Sequence, residues 1–183
     1  RIDAILVRMP QPVDAAFLFS LESIVPPHHI INSAAGIVET ATKAFLMQVS
    51  YLCPEPVICH SMQEAIELSL QKEIVLKPML SYGGRGIVRL STDHCWKEDQ
   101  RMPIYHLSSF LSDSHFPMLA MKFLKNVTQG DKRTIVANRQ ILGSALRLPA
   151  PGSWMCNVAQ GGRAVLAEAD EDEHIIQEIL TPI

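Results

Sequence analysis

The sequence predicts a mixed α/β (α+β) fold, and three observations lead to this class. Apolar runs of strand length, bounded by proline, glycine or polar residues, recur along the whole chain. In the first half they alternate with segments of helical periodicity, whereas strand-like runs dominate the second half. Hydrophobic residues make up 48% of the 183 residues, which is enough to bury a core. The second half is therefore expected to be largely antiparallel.

The beginning of the chain is predicted as strand, helix, strand and helix. The runs that predict the first three elements are "DAILVRM", "AAFLFSLESI" and "HHIINS". A helix is then predicted from Ala35, because apolar residues recur every four positions along one face. These residues are Ile37, Ala41, Phe45 and Val49. Lys43 lies off this stripe, so the residues alone favour a solvated lysine on a helix.

The middle of the chain is predicted to contain three strands and one helix. "EPVICH" reads as a strand, and a helix follows to about Lys72, with Ser61 and Glu64 at capping-box spacing. "EIVLKP" and "GIVRLS" are predicted strands on either side of a glycine-rich loop. "CWKEDQRMP" is predicted as a flexible loop anchored by Trp96.

The last third is predicted to be a strand, a hairpin and a helix. "PMLAMKFL" reads as the strand, and "GDKRTIVAN" pairs with "QILGSALRLP" across Asn138 and Arg139. Asp170 and Glu173 are expected to open the final helix, where acidic side chains favour the positive end of the helix dipole.

Composition excludes several classes of protein. The formal net charge of -3 gives no electrostatic case for binding nucleic acid or an anionic membrane. No apolar run reaches the roughly 18 residues that a membrane helix needs. The four cysteines have neither CxxC nor zinc-ligand spacing, which favours reduced thiols in a cytoplasmic protein. Because the first residues already read as a buried strand, the chain is expected to be part of a longer protein.

The stretch "KPMLSYGGRGIVRL", from Lys77 to Leu90, is the first candidate site. Its glycines would let backbone N–H groups approach phosphate oxygens without interference from a Cβ atom. A P-loop or a dinucleotide fold would need a helix after the glycines, and a protein kinase would need HRD and DFG motifs. A tight glycine hairpin without a ligand remains the structural alternative.

Two later stretches add charged groups suited to phosphate chemistry. In "GDKR", Asp131 and Arg133 are two positions apart, so an extended segment turns both toward the same side. "NVAQGGR" supplies the amide of Asn157, two glycines and Arg163. Cations and glycine loops spread over several strands favour phosphoryl transfer by positioning and charge.

Five stretches resemble the bacterial glutathione synthetase branch of the ATP-grasp ligases. They are "DAILVRMPQPVDAAFLFSLESI", "IINSAAGIVETATKAFL", "IVLKPMLSYGGRGIVRL", "MKFLKNVTQGDKR" and "NVAQGGR". The resemblance implies an ATP-grasp fold, in which two α+β subdomains hold ATP between antiparallel sheets. It implies that residues 1–33 end a preceding substrate domain and that residues 34–183 form the ATP-grasp domain.

The resemblance also implies a reaction and its ligands. ATP phosphorylates a carboxylate, and an amine then displaces phosphate from the acyl phosphate to form an amide. In the family the acid is γ-glutamylcysteine, the amine is glycine, and Mg²⁺ bridges the phosphates. The implied partners are therefore small-molecule acid and amine substrates, together with a second copy of the chain in a homo-oligomer.

Matching positions in the resemblance imply roles for individual residues. Lys43 and Lys77 match two lysines that touch ATP phosphates. The glycine-rich lid is matched by Ser81, Tyr82, Gly83, Gly84, Arg85 and Gly86. The adenine hinge is matched by Met121, Lys122, Phe123 and Leu124, with backbone hydrogen bonds from Phe123 and Leu124. Asp131 matches a ribose-side acid, while Arg133 and Arg163 match catalytic arginines, and Asn157 with Arg163 matches the substrate loop. The alternatives are strand core for Met121 and Phe123, and a polar surface turn for Asn157 and Arg163.

Three departures from the family pattern leave the function open. Met121 stands where the family has a polar side chain for the adenine amino group. Met155 stands where the family has an arginine that holds the acidic substrate, so a glutamate or peptide ligase with a different acid is the first alternative. The family's metal ligands lie downstream of the final helix, so no metal ligand is predicted here. A nucleotide-binding protein without catalysis is the second alternative.

Overall fold

The computed structural model describes residues 3–168 and 173–180 of the chain. Its strands are β1 (Ile5–Leu6), β2 (Ile30–Ile31), β3 (Val57–Cys59), β4 (Ile74–Pro78), β5 (Val88–Leu90), β6 (His94–Lys97), β7 (Gln100–Pro103), β8 (Met118–Lys122), β9 (Asp131–Ala137), β10 (Gln140–Leu148) and β11 (Arg163–Ala167). Its α-helices are α1 (Ala15–Ile24), α2 (Ala34–Thr40), α3 (Met62–Gln71) and α4 (Glu173–Leu180). The predicted mixture of strands and helices is confirmed.

The chain divides into two compact units, one ending at Phe123 and the other beginning at Leu124. The first unit contains a six-stranded antiparallel sheet in the order β3-β8-β4-β5-β6-β7. Because side chains alternate along a strand, one face of this sheet is apolar and buried. The main core on that face includes Ile74, Leu76, Val88, Leu90, Cys95, Met118 and Ala120.

A smaller apolar cluster lies near the beginning of the first unit. The parallel strands β1 and β2, together with α1 and α2, enclose Val7, Leu18, Ile30 and Ala34. Asp14 caps α1 by accepting a hydrogen bond of 2.9 Å from the amide of Phe17, which satisfies a donor at the helix start. The predicted helix "AAFLFSLESI" is confirmed over its whole length.

The second unit contains the antiparallel sheet β11-β10-β9. Strands β9 and β10 form the predicted hairpin, and its two turn residues, Asn138 and Arg139, have φ of 47° and 62°. Two consecutive positive φ angles are characteristic of a type I′ turn, whose twist matches that of the paired strands. Helix α4 begins at Glu173, while Asp170, predicted with it as the helix start, lies outside the described residues.

The predicted helix through Val49 is wrong beyond Thr40. Helix α2 ends there, and Thr42 adopts an extended conformation with φ -105° and ψ 147°. The hydroxyl of Thr42 caps a new 3₁₀ turn over Lys43–Met47, and the amide of Lys43 donates to the carbonyl of Met79 at 3.0 Å. The Lys43 amide thus forms a tertiary hydrogen bond in place of a bond within the helix. A periodic apolar pattern does not reveal such a tertiary bond.

The predicted loop "CWKEDQRMP" is also wrong, because this stretch forms the hairpin of β6 and β7. Its turn lies at Glu98, which has φ of 54°. Cys95 is fully buried in the main core, whereas Trp96 points to the other face of the sheet as part of a strand. The charged turn residues between short strands made the segment look like a loop.

Within residues 3–168 and 173–180, no helix combines the length and apolar character needed to cross a membrane.

Candidate functional site

Lys77 projects from β4 on the side of the sheet opposite the main core. Its neighbours along the strand, Leu76 and Val75, are buried, and Lys77 itself is half-buried. The Lys77 Nζ lies 3.2 Å from the Sδ of Met121, which belongs to the adjacent strand β8. The sheet therefore brings together two residues predicted to contact opposite ends of a nucleotide.

The loop between β4 and β5 has the backbone that its glycines predict. Gly83, Gly84 and Gly86 have φ of 67°, 82° and 70°, the left-handed region in which a Cβ atom is strained. The loop is thus built from conformations that most residues disfavour, and Arg85 lies between two such glycines with its guanidinium 5.5 Å from the Tyr82 ring. These residues make up the loop that is predicted to be the lid, and the role itself stays a prediction.

Lys43 joins this loop, so its interpretation as a solvated helix lysine is wrong. Its Nζ donates to the carbonyl of Pro78 at 2.7 Å and to the carbonyl of Ser81, and it lies 3.4 Å from the Ser81 hydroxyl. Burial and then the nearby charge of Lys77 lower the pKa of Lys43 below its usual value. Two cations at the start of one loop form a site that an anion would stabilise.

The predicted adenine hinge lies at the end of β8. Met121 is buried at 6% exposure, and the amide of Phe123 donates to the carbonyl of Glu73 at 2.8 Å. A backbone hydrogen bond between Phe123 and a base would therefore use the Phe123 carbonyl as an acceptor. Leu124 is exposed and begins the second unit.

Lys122, although predicted to bind the cofactor, directs its side chain elsewhere. Its Nζ lies 2.8 Å from Glu55, and its amide donates to the carbonyl of Pro54 at 2.9 Å. Glu55 also pairs with Lys72 at 2.6 Å, and the hydrogen bonds from Lys122 and then Lys72 lower the pKa of Glu55 to about 2. The structure does not bring Lys122 together with Lys77.

In the second unit, Asp131 and Arg133 lie on the same face of β9, as their spacing predicts. Asp131 pairs in register with Arg147 of β10, which donates from Nε at 2.7 Å and from Nη2 at 2.5 Å. This bidentate pair orients the carboxylate, which keeps lone pairs for a further donor. Arg133 is exposed.

The turn from Asn157 to Arg163 is held by close backbone packing. The carbonyl of Asn157 accepts hydrogen bonds from the amides of Gln160 and Gly162, at 2.8 and 3.1 Å. A Cβ atom on Gly162 would lie 2.6 Å from the carbonyl oxygen of Cys156, so only glycine fits. Arg163, exposed at the start of β11, lines an open pocket of about 370 Å³ with Ser153.

The predicted residues thus form two groups, one in each unit. Within the first unit, Lys43 bonds the glycine loop, Lys77 contacts Met121, and the charges of the two lysines interact. Asp131, Arg133, Asn157 and Arg163 belong to the second unit. No group of three or more His, Cys, Asp or Glu side chains able to hold a metal occurs among the described residues.

Two arginines that bind the predicted residues were missed. Arg147 holds Asp131, and Arg89 of β5 stacks on Phe123 at 3.7 Å. Each lies between two apolar strand residues, in "LRL" and "VRL", and this alternation signals a charged side chain on the face opposite the core. The alternating pattern predicts the face of the sheet on which each arginine lies. The residue that each arginine contacts depends on strand register, which the pattern does not give.

Comparison with known proteins identifies the domain family. A family model described as prokaryotic glutathione synthetase, ATP-grasp domain, matches residues 42–183. Similar relatives named glutathione synthetase include those of Thermosynechococcus vestitus, at 28% identity, and of Rhodopseudomonas palustris and Agrobacterium fabrum, each at 27%. These alignments cover 98%, 98% and 99% of this chain and 56%, 57% and 56% of the respective relatives.

The chain spans about half the length of the curated relatives it matches. The family model, however, covers most of the chain, including the glycine loop and both sheets that carry the predicted residues. The mixed α+β architecture agrees with this match. The chain therefore belongs to the prokaryotic glutathione synthetase ATP-grasp domain family.

Proposed function

We propose that the chain supplies the ATP-binding part of a ligase that joins a carboxylate to an amine, as in glutathione synthetase. The observation that carries this proposal is that Lys43 bonds the beginning of the glycine loop and lies close enough to Lys77 for the two charges to interact. Two half-buried cations beside left-handed glycines suit a polyphosphate better than a structural hairpin, which needs neither lysine. Family membership adds ATP as the nucleotide.

The proposed chemistry has two steps. A carboxylate oxygen of the acid attacks the γ-phosphorus of ATP, the bond to ADP breaks, and an acyl phosphate forms. The amine nitrogen then attacks the acyl carbon, phosphate leaves, and the amine loses a proton as the amide forms. In this proposal Lys43, Lys77 and the loop hold the phosphates, while Arg133 and Arg163 offset negative charge on the transferred group.

Mg²⁺ is part of this proposal through the chemistry of the family. When bound, it neutralises charge on the phosphate oxygens. Among the described residues, no three His, Cys, Asp or Glu side chains are grouped so that they could hold it.

Two acids are candidates for the substrate. γ-Glutamylcysteine, with glycine as the amine, is the first, because the relatives are named glutathione synthetase. The second is a different acidic peptide, and Met155 favours it. Met155 is buried at 5% exposure, and a buried thioether cannot replace a guanidinium that pairs with a substrate carboxylate.

The proposed domain boundary lies near residue 34. Its support is the presence of two separate apolar clusters in the first unit. Helix α2 packs in the N-terminal cluster through Ala34 and Ile37, and the family model begins at residue 42, so these observations favour a boundary a few residues later. Homo-oligomer formation and a cytoplasmic location remain predictions.

The test measures ADP release by the full-length protein with ATP and Mg²⁺. The substrate pairs are γ-glutamylcysteine with glycine, followed by other acidic peptides with free amino acids. Lys77→Ala should abolish release, because it removes a charge that holds the phosphates. Lys72→Ala is the matched control, since Lys72 pairs with Glu55 away from the loop and its loss should leave turnover unchanged.

The outcomes separate the candidates. Turnover on γ-glutamylcysteine and glycine selects the first acid, and turnover on another pair alone selects the second. ATP binding without ADP release from any pair would overturn the ligase proposal and leave a nucleotide-binding protein. Equal loss of turnover in both lysine variants would refute the role of Lys77.

A further inference from the structure

One row of side chains crosses the face of the six-stranded sheet that carries Lys77. Strand register places Met121, Val75, Arg89, Trp96 and Arg101 side by side on β8, β4, β5, β6 and β7. Arg89 therefore lies at the centre of the row, on the same face of the sheet as Met121 of the predicted adenine hinge.

Arg89 is enclosed by one carboxylate and two aromatic rings. Its Nε and Nη2 lie 2.7 and 2.6 Å from Oε1 of Glu73, and both side chains are about four-fifths buried, at 20% and 22% exposure. Its Cζ lies 3.7 Å from the ring centroid of Phe123 and 4.5 Å from that of Trp96. A planar guanidinium can stack on rings and bind a carboxylate at the same time, which an ammonium cannot.

Glu73 and Arg89 hold Phe123 at two separate points. The carbonyl of Glu73 accepts the Phe123 amide at 2.8 Å, and its carboxylate holds the arginine that covers the Phe123 ring. Backbone and side chain of Phe123 are thus both fixed. Phe123 follows Met121 by two residues, at the end of β8, where the chain leaves the sheet.

We propose that Arg89 is a positioning residue for the nucleotide base. By holding the Phe123 ring against Glu73, it fixes the backbone at which the base is bound. This inference rests on the proposed ATP site. Arg89 is not assigned to the phosphates, because Glu73 neutralises its charge and aromatic rings cover its guanidinium.

The experiment compares two ligands and three variants of the full chain by calorimetry. ATP engages both the base and the phosphate groups, whereas inorganic tripolyphosphate engages the phosphate groups alone. The variants are Arg89→Met, which removes charge and stacking, Arg89→Lys, which keeps the charge, and Arg101→Met as the matched control. Arg101 also stacks on Trp96, at 5.6 Å, but lies two strands from β5. Circular dichroism checks the fold of each variant.

Arg89→Met should raise the Kd for ATP about tenfold while changing the Kd for tripolyphosphate less than about twofold. Arg89→Lys should behave like Arg89→Met, because a lysine can pair with Glu73 but cannot stack between the rings. If Arg89→Met does not fold, Arg89→Lys provides the test. Arg101→Met should leave both constants unchanged.

Unchanged ATP affinity in the Arg89 variants would overturn the inference, as would an equal loss of affinity for both ligands. Either result would leave the proposed function intact. A wild-type protein that binds neither ligand would instead refute the proposed ATP site itself.

Discussion

At the scale of single residues, Lys43 has an unusual environment for an ammonium group. It donates to backbone carbonyls at Pro78 and Ser81, and it lies near the charge of Lys77. Burial and then this charge lower its pKa from 10.5. Since the unfolded chain holds this proton more tightly, the charged lysine destabilises the fold at neutral pH. This penalty lessens as the pH rises through the lowered pKa toward 10.5.

ATP binding should therefore be accompanied by proton uptake in alkaline solution. A polyphosphate beside Lys43 favours the ammonium form and raises its pKa again. Calorimetry at several pH values up to 10.5, in buffers of different ionisation enthalpy, measures the protons taken up. Lys43→Met should lose this uptake, whereas Lys72→Met should retain it. Equal uptake in wild type and Lys43→Met would contradict the assignment.

Met121 provides a second prediction at this scale. Its Sδ lies 3.2 Å from the Lys77 Nζ, where a thioether is only a weak acceptor. Met121→Gln should supply an amide that accepts from Lys77 and bonds the adenine amino group. One added hydrogen bond of about 1 kcal/mol should tighten ATP binding about fivefold. Competition between ATP and GTP measures the selectivity, and equal gains for both nucleotides would refute adenine recognition at this position.

At the scale of elements, the sequence predicted those that local patterns determine. Helices α1 and α3, the β4–β5 pair and the hairpin at Asn138 follow from periodicity, capping and turn residues. The end of α2 does not follow from a local pattern, because the amide of Lys43 bonds the carbonyl of Met79, which is distant in sequence. The β6–β7 hairpin does not follow either, because Cys95 is buried by residues far away in sequence. Likewise, Lys77 and its glycines were visible in the sequence, but the partners of Arg89 and Arg147 depend on strand register.

The β9–β10 turn provides a prediction for this element. Arg139 has φ of 62°, a conformation that costs a residue with Cβ about 1–2 kcal/mol. Arg139→Gly should therefore make the protein about 0.5–1 kcal/mol more stable than Arg139→Ala, after the greater freedom of glycine in the unfolded chain is included. Both variants lose the arginine side chain, so their difference isolates the backbone. Urea unfolding measures the difference in free energy of unfolding between the two variants. Equal stabilities of Arg139→Gly and Arg139→Ala would contradict a strained turn.

At the scale of the whole molecule, each of the two units has an antiparallel sheet. Each unit also has at least one cysteine thiol buried in its interior. Cys59 and Cys95 lie in the main core of the first unit, at 2% and 0% exposure. Cys156 is buried in the second unit at 4% exposure, while Cys53 is half-buried. Burial, aided by the charge of Glu64, raises the pKa of Cys59 to about 11, and burial also raises the pKa of Cys95 and Cys156.

A thiol reagent such as Ellman's reagent should therefore react rapidly with one cysteine of the native chain and slowly with three. Reaction requires a thiolate that the reagent can reach, and Cys53 is more accessible than the three buried cysteines. For those three, the raised pKa also lowers the thiolate fraction at any given pH. Cys53→Ser should remove the rapid phase, and unfolding in urea should expose all remaining thiols. A rapid phase that survives Cys53→Ser would show that one of the units opens in solution.

The bonds from Lys43 to the glycine loop also have a consequence for the order of folding. They connect positions 35 and 38 residues apart, whereas the β4–β5 pairing beneath the loop connects nearby segments. A contact of long sequence separation carries a larger cost of chain closure than a local one. We expect the β4–β5 pair to form before Lys43 bonds the loop. The bonds between Lys43 and the loop should therefore form later than the β4–β5 pair and open more readily than it does.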